Sequence, residues 1–193
     1  MIDGFLEALV RHPVIAAVRD LDAAPRAAAS PVAAVFLLGG SILTLPPAAQ
    51  MLREAGKRVF VHLDLCAGLG RDKAAVEWCR RVARADGLIS THPQLLREGA
   101  SLGMATIQRL FLMDAGSLNS GIRLLKAHPP DFVEVLPGLV PKAITRLCSQ
   151  LGRPVIAGGM VTEADEVRQA LHAGAVAVSG TIGFIGLLVP HLA

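Results

Sequence analysis

Tyrosine is absent from the chain, tryptophan occurs once and phenylalanine six times, so aromatic residues make up 4% of 193. A surface so poor in rings has little with which to stack nucleic-acid bases. Phosphate contacts and loop shape remain for any such partner. Cysteine is scarce: Cys66, Cys79 and Cys148 show no CxxC spacing, and the odd count suits a reducing cytoplasm better than a disulfide framework. The six histidines form neither HxH nor HxxxH, so no metal and no cofactor is expected. No apolar run reaches the roughly 18 residues of a membrane span, so no membrane partner is expected. The opening Met1-Ile2-Asp3-Gly4 lacks the basic n-region of a secretion signal. Nor does a GxGxxG follow the first apolar run, which argues against an open dinucleotide-binding sheet.

What the chain does hold is apolar: 52% hydrophobic residues against 18% charged, with a mean hydropathy of +0.50. Parallel strands covered on both faces read as unbroken apolar runs. Runs of strand length recur at Val14–Val18, Val32–Leu38, Val59–Leu63, Gly87–Ser90, Ala105–Arg109, Phe132–Leu136, Val155–Ala157 and Ala175–Ser179. Between and after them lie helical patterns over Asp22–Ala29, Pro46–Ala55, Lys73–Ala83, Pro93–Leu102, Ser117–Ala127, Pro141–Gln150 and Thr162–His172, and a short one from Gly183. Prolines open several of these helices and glycines such as Gly152 follow their ends. Eight strand–helix units predict an α/β fold, a compact (β/α)8 TIM barrel, on a chain shorter than the ~250 residues usual for it. The whole of residues 1–193 reads as one domain, with residues 1–12 an N-terminal helix under the barrel and 183–193 an apolar C-terminal tail. That tail is expected to cover the barrel or to form a contact in a homo-oligomer.

Alternation along a strand puts His62 and Asp64 on one face with Phe60, pointing into the barrel, with Asp64 at its C-terminal mouth. Glu134 falls inside in the same way, Arg19 closes the first strand and Gln108-Arg109 close the fifth. An unpaired charge there costs several kcal/mol. Arg19 and Arg109 therefore either neutralise Asp64 and Glu134 in a structural network or join them around a ligand. His62 reads as a core histidine orienting the carboxylate of Asp64. Lys142 begins a helix, where it can reach an anion but is poorly placed for Schiff-base chemistry. Asp114 and Ser117 mark the entry to a helix.

The last two strands run into Gly158-Gly159 and Ser179-Gly180-Thr181. Either pair of loops serves as two tight turns, or together they form the phosphate cup usual after strands 7 and 8 of such barrels. A net charge of +3 and a pI of about 9.1 permit a polyanionic partner without requiring one. Arg80, Arg81 and Arg84 are expected on one helix, and Arg53, Lys57 and Arg58 near the end of another. Each group is either a solvated helix end or a nucleic-acid contact.

Several blocks occur together and in order: Ile15-Ala16-Ala17-Val18-Arg19-Asp20, Val59-Phe60-Val61-His62-Leu63-Asp64-Leu65, Ala85-Asp86-Gly87-Leu88-Ile89-Ser90-Thr91, Thr106-Ile107-Gln108-Arg109-Leu110-Phe111, Glu134-Val135-Leu136-Pro137-Gly138 with Pro141-Lys142, and Ile156-Ala157-Gly158-Gly159. From Pro13 to Thr181 the chain closely resembles the glycerol uptake operon antiterminator family, the glycerol-3-phosphate-responsive regulators of bacterial glycerol genes. Arg19 stands where lysine is usual. The resemblance implies a cytoplasmic TIM barrel that binds sn-glycerol 3-phosphate as effector, acts on leader mRNA to suppress premature termination, and is not an enzyme. The expected ligand residues are then Arg19, Asp64, Arg109, Glu134, Gly138, Lys142, Gly158, Gly159, Ser179, Gly180 and Thr181, with RNA on Arg80, Arg81 and Arg84. The rival expectation is a phosphosugar isomerase or aldolase on the same scaffold, with Asp64 and Glu134 as an acid/base pair.

Overall fold

The computed structural model describes residues 2–181 and Gly183; the tail beyond them, with the short helical pattern expected from Gly183, lies outside the described residues. Strands β1 (Val14–Val18), β2 (Ala34–Leu37), β3 (Arg58–His62), β4 (Gly87–Ser90), β5 (Ala105–Phe111), β6 (Phe132–Leu136), β7 (Val155–Gly158) and β8 (Ala177–Thr181) pair in parallel and close in chain order into a barrel. Helix α1 (Ile2–Arg11) precedes them. Between strands run α2 (Ala24–Ala29), α3 (Leu45–Glu54), α4 (Lys73–Arg81), α5 (Pro93–Ser101), α6 (Ala115–Ala127), α7 (Pro141–Leu151) and α8 (Ala164–His172). No helix among the described residues is long and apolar enough to cross a membrane.

Local chemistry sets the element ends. Asp114 Oδ1 accepts the Ser117 N–H at 2.7 Å while Ser117 Oγ accepts the Asp114 N–H at 3.0 Å, a reciprocal cap that starts α6. Gly152, at φ +59°, ends α7 in the left-handed region. Helix α8 begins at Ala164, later than Thr162, because the Glu166 carboxylate reaches back to the N–H groups of Thr162 (2.7 Å) and Glu163 (3.0 Å) and holds both in the preceding turn. Helix α4 stops at Arg81, so Arg84 is not on it. The Trp78 carbonyl accepts from both Val82 and Ala83, and Arg84 itself turns to φ +52°.

Strand register arranges the interior in tiers. The shift accumulated around a tilted eight-stranded barrel brings alternate strands to one height. Ile15, Phe60, Ile107 and Ile156 form an apolar tier; Phe36, Ile89, Glu134 and Ser179 lie above it; Ala17, His62, Arg109 and Gly158 come next toward the C-terminal mouth. The lower interior is sealed from beneath by α1. Its Phe5 ring lies 5.0 Å from that of Phe60 and 5.2 Å from that of Phe132, and Leu9 is wholly buried beside it. A second, larger apolar layer fills the space between the outward strand faces and the helices. The barrel is therefore greasy at its base and polar at its mouth, and the polar end is where its chemistry lies.

Candidate functional site at the barrel mouth

Arg109 and Glu134 are neighbours in the β5–β6 register and meet inside the barrel. Arg109 Nε donates to Glu134 Oε2 at 2.7 Å, with the two side chains only 5% and 1% exposed. Ser179 Oγ donates to Glu134 Oε1 at 2.8 Å, so both carboxylate oxygens are engaged. Gly158 makes room for this cluster: a Cβ there would stand 2.5 Å from Ser179 Oγ and 2.8 Å from Glu134 Oε1. Glu134 thus acts as a keystone under the mouth, orienting Arg109 and Ser179. Ser179 turns its hydroxyl inward to that carboxylate.

Asp64 does not meet Arg19. It sits in a short 3-10 turn, Leu63–Leu65, directly after β3. Its carboxylate accepts from Ser90 Oγ at 2.7 Å and from both Thr91 N and Thr91 Oγ1 at 2.8 Å. Burial pushes its pKa up, but these hydrogen bonds outweigh burial and hold it below the usual carboxylate range. Thr91 Oγ1 also lies 2.9 Å from His92 Nδ1. Ser90 and Thr91 are the residues sequence reasoning left out of the site. Their signal was present in the block Ala85–Thr91, whose polar end follows a buried strand.

His62, 3% exposed, makes no hydrogen bond to Asp64, and its Nδ1 has no partner among the described residues. It is therefore not the satisfied, carboxylate-orienting histidine expected. Burial first, then the Arg109 charge, lowers its pKa to about 4, so the ring is neutral at physiological pH. An unfolded histidine titrates near 6.5. Between those values the unfolded chain holds the extra proton, so stability is expected to fall by roughly 3 kcal/mol as pH drops from 6.5 to 4. The depressed Asp64 acts in the same direction further down: its contribution is complete above the ordinary carboxylate pKa and is lost as pH falls through the native one. Urea titrations at pH 7 and pH 4.5 check the first effect. His62→Gln should flatten the difference, and an undiminished pH slope in that variant would refute the assignment.

The turn after β7 is the most unusual backbone of the mouth. Gly159 and Met160 both have positive φ, +68° and +62°. For methionine that conformation costs roughly 1–2 kcal/mol, and such strain collects at ligand-binding turns. Among the described residues no acceptor meets the N–H groups of Gly159 and Met160. Gly138 braces this turn from behind. Its N–H donates to Gly158 O at 2.6 Å, and a Cβ on it would come within 2.9 Å of Gly158 N. Gly180 is buried and Thr181 exposed on β8, which pairs Thr181 with Ala17. Arg19, two residues beyond Ala17, is exposed at the mouth, and its side chain makes no hydrogen bond or ion pair among the described residues. Lys142 is exposed in the first turn of α7.

The arginines lie elsewhere. Helices of such a barrel run back from the C-terminal mouth to the N-terminal end of the next strand. Arg80 and Arg81, in the last turn of α4, and Arg84, shortly before β4, therefore stand at the end opposite the mouth. Arg53, from the end of α3, joins them there by donating to the carbonyls of Ala83 and Arg84, both at 2.8 Å. Lys57 and Arg58 are committed to Ser30 O and to the carboxylate of Asp86.

A closed parallel barrel with a buried Arg–Glu–Ser cluster beneath a glycine-lined mouth defines a (β/α)8 TIM barrel with a polar C-terminal end. Residues 14–183 match the family model described as glycerol-3-phosphate responsive antiterminator, and the chain belongs to that family. It is 34% identical over 176 residues to the Escherichia coli (strain K12) protein YgcP, covering 91% of this chain and 92% of that one. A glycerol uptake operon antiterminator regulatory protein from Listeria monocytogenes superposes with a TM-score of 0.82 at 30% identity, over 86% of this chain and 90% of its own. A glycerol uptake operon antiterminator-related protein from Thermotoga maritima gives 0.80 at 32%, over 90% and 97%. An aldolase and an epimerase, at 13% and 14% identity, share the fold alone.

Proposed function

We propose that the protein is a cytoplasmic sensor of sn-glycerol 3-phosphate that acts on leader mRNA to prevent premature termination of glycerol-utilisation genes. The observation that carries the ligand half is the strained Gly159–Met160 turn, whose N–H groups share the mouth with Arg19, neither having a partner among the described residues. Such a constellation suits a phosphate dianion. Gly180, Thr181 and Lys142 complete the anionic end, and Asp64 and Arg109 face the glycerol end. Glu134 is not free to act as a general base, since both its oxygens accept hydrogen bonds. Without it the isomerase or aldolase reading loses its acid/base pair.

Purified protein is expected to melt at higher temperature with sn-glycerol 3-phosphate and not with glycerol. A ligand at a hundred times its Kd adds ~2.7 kcal/mol. Recovery of chemically altered ligand after incubation would replace the sensor with an enzyme. RNA contact through Arg80, Arg81 and Arg84 places the two partners at opposite ends of the barrel. Alanine at all three should then weaken leader RNA binding and its salt dependence while leaving the effector's melt shift intact. Leader affinity no better than that for unrelated RNA, with and without effector, would remove the RNA assignment.

A further inference from the structure

The tier holding His62 is half empty of side chain. Its four members are Ala17, His62, Arg109 and Gly158, and only two of them reach toward the axis. Ala17, the last residue but one of β1, is partly exposed, so this tier is reached from the mouth. Arg109 commits Nε to Glu134, and its Nη groups have no partner among the described residues. His62 Nδ1 is buried with none. A buried polar atom left unpaired is destabilising, and native proteins keep such atoms where something else pairs them.

Position around the barrel says which part of a ligand this is. β3 and β7 are four strands apart in a closed ring of eight, hence on opposite walls. A phosphate seated on the β7–β8 side leaves the far end of a three-carbon chain to cross the axis toward β3 and β5. We infer that His62, with Arg109 beside it, is the specificity-determining residue that recognises the terminal hydroxyl of a phosphorylated polyol. A hydroxyl both donates and accepts, so it satisfies Nδ1 in either tautomer while its oxygen accepts from an Arg109 Nη. Asp64, held by Ser90 and Thr91, fixes the wall beside the ring. The inference deepens the ligand assignment above and rests on it.

The test compares sn-glycerol 3-phosphate with propane-1,2-diol 1-phosphate, which keeps the secondary hydroxyl and the phosphate and lacks the terminal hydroxyl. Wild type should bind the first at least tenfold more tightly, because a site built to pair a hydroxyl rejects the analogue without it. In His62→Leu that preference should shrink to about threefold or less through weaker binding of the triol ester, and His62→Gln, which keeps polar atoms, should restore part of it. The ring 15N signals of His62 in the wild-type protein give a readout independent of any variant's folding: they should move with glycerol phosphate and stay put with the deoxy analogue. Failure of wild type to bind either ester overturns the parent assignment and the inference together. Binding that discriminates equally well in His62→Leu, or ring signals blind to glycerol phosphate, overturns the inference alone.

Discussion

Arg109→Leu is expected to lower the stability of the protein by about 3–5 kcal/mol, the range for breaking a buried ion pair from one side. The partner it abandons, Glu134, is 1% exposed and sits a tier below the mouth, where water cannot readily replace a guanidinium. For a chain of this size each kcal/mol moves the melting midpoint by roughly 2–4 °C, so a fall of about 6–20 °C should be seen. Glu134→Leu should cost a similar amount for the converse reason, and it also strands the Ser179 hydroxyl. The double variant is the informative one. Replacing both charges by apolar groups removes the uncompensated ion, so Arg109→Leu with Glu134→Leu should recover most of the loss while the effector response stays absent. Urea denaturation of the four proteins measures the coupling. Single variants within 1 kcal/mol of wild type would mean that the pair is solvated in solution and is not the keystone described here.

Much of this cluster is legible in the amino-acid sequence. Alternation put Phe60, His62, Phe132 and Glu134 inside because a strand has only two faces, and the barrel followed from eight strand-length apolar runs alternating with helical segments. The bounds of β1, β4 and β6 match their runs, since strands covered on both sides are apolar from end to end. β8 starts later than Ala175 because the Ala175 N–H closes the end of α8 on the Ala170 carbonyl, an alternative that hydropathy does not distinguish. Partner choice was the harder matter. Arg109 and Glu134 are paired by register within two strands, but Asp64 lies in the turn beyond β3 and takes its donors from Ser90, the last residue of β4, and from Thr91 just after it, which the β3–β4 pairing brings alongside. The inward turn of Ser179 and the solitude of His62 Nδ1 depend on the same three-dimensional tiering.

Gly158→Ala carries the second large effect, and it links the stability of the mouth to its binding. In most strands an added methyl is tolerated. Here its carbon would stand 2.5 Å from Ser179 Oγ and 2.8 Å from Glu134 Oε1, inside the distance any real Cβ keeps. The serine must rotate away, leaving Glu134 Oε1 unpaired, and the carboxylate must shift against Arg109. Overpacking of this kind costs about 1–3 kcal/mol and a stranded buried acceptor about 1–3 more, so a loss of roughly 2–6 kcal/mol is expected. The same displacement disturbs Gly158 O, which accepts the Gly138 N–H at 2.6 Å and so braces the turn that presents Gly159 and Met160. Effector affinity should therefore collapse even at temperatures where the variant is folded. Gly158→Ala with Ser179→Ala separates the two consequences. Removing the clashing hydroxyl should return part of the stability, whereas affinity should stay low because the carboxylate remains displaced and short of a donor. Recovery of both together would show that the glycine serves packing alone, and that the turn beyond it stands independently of the buried cluster.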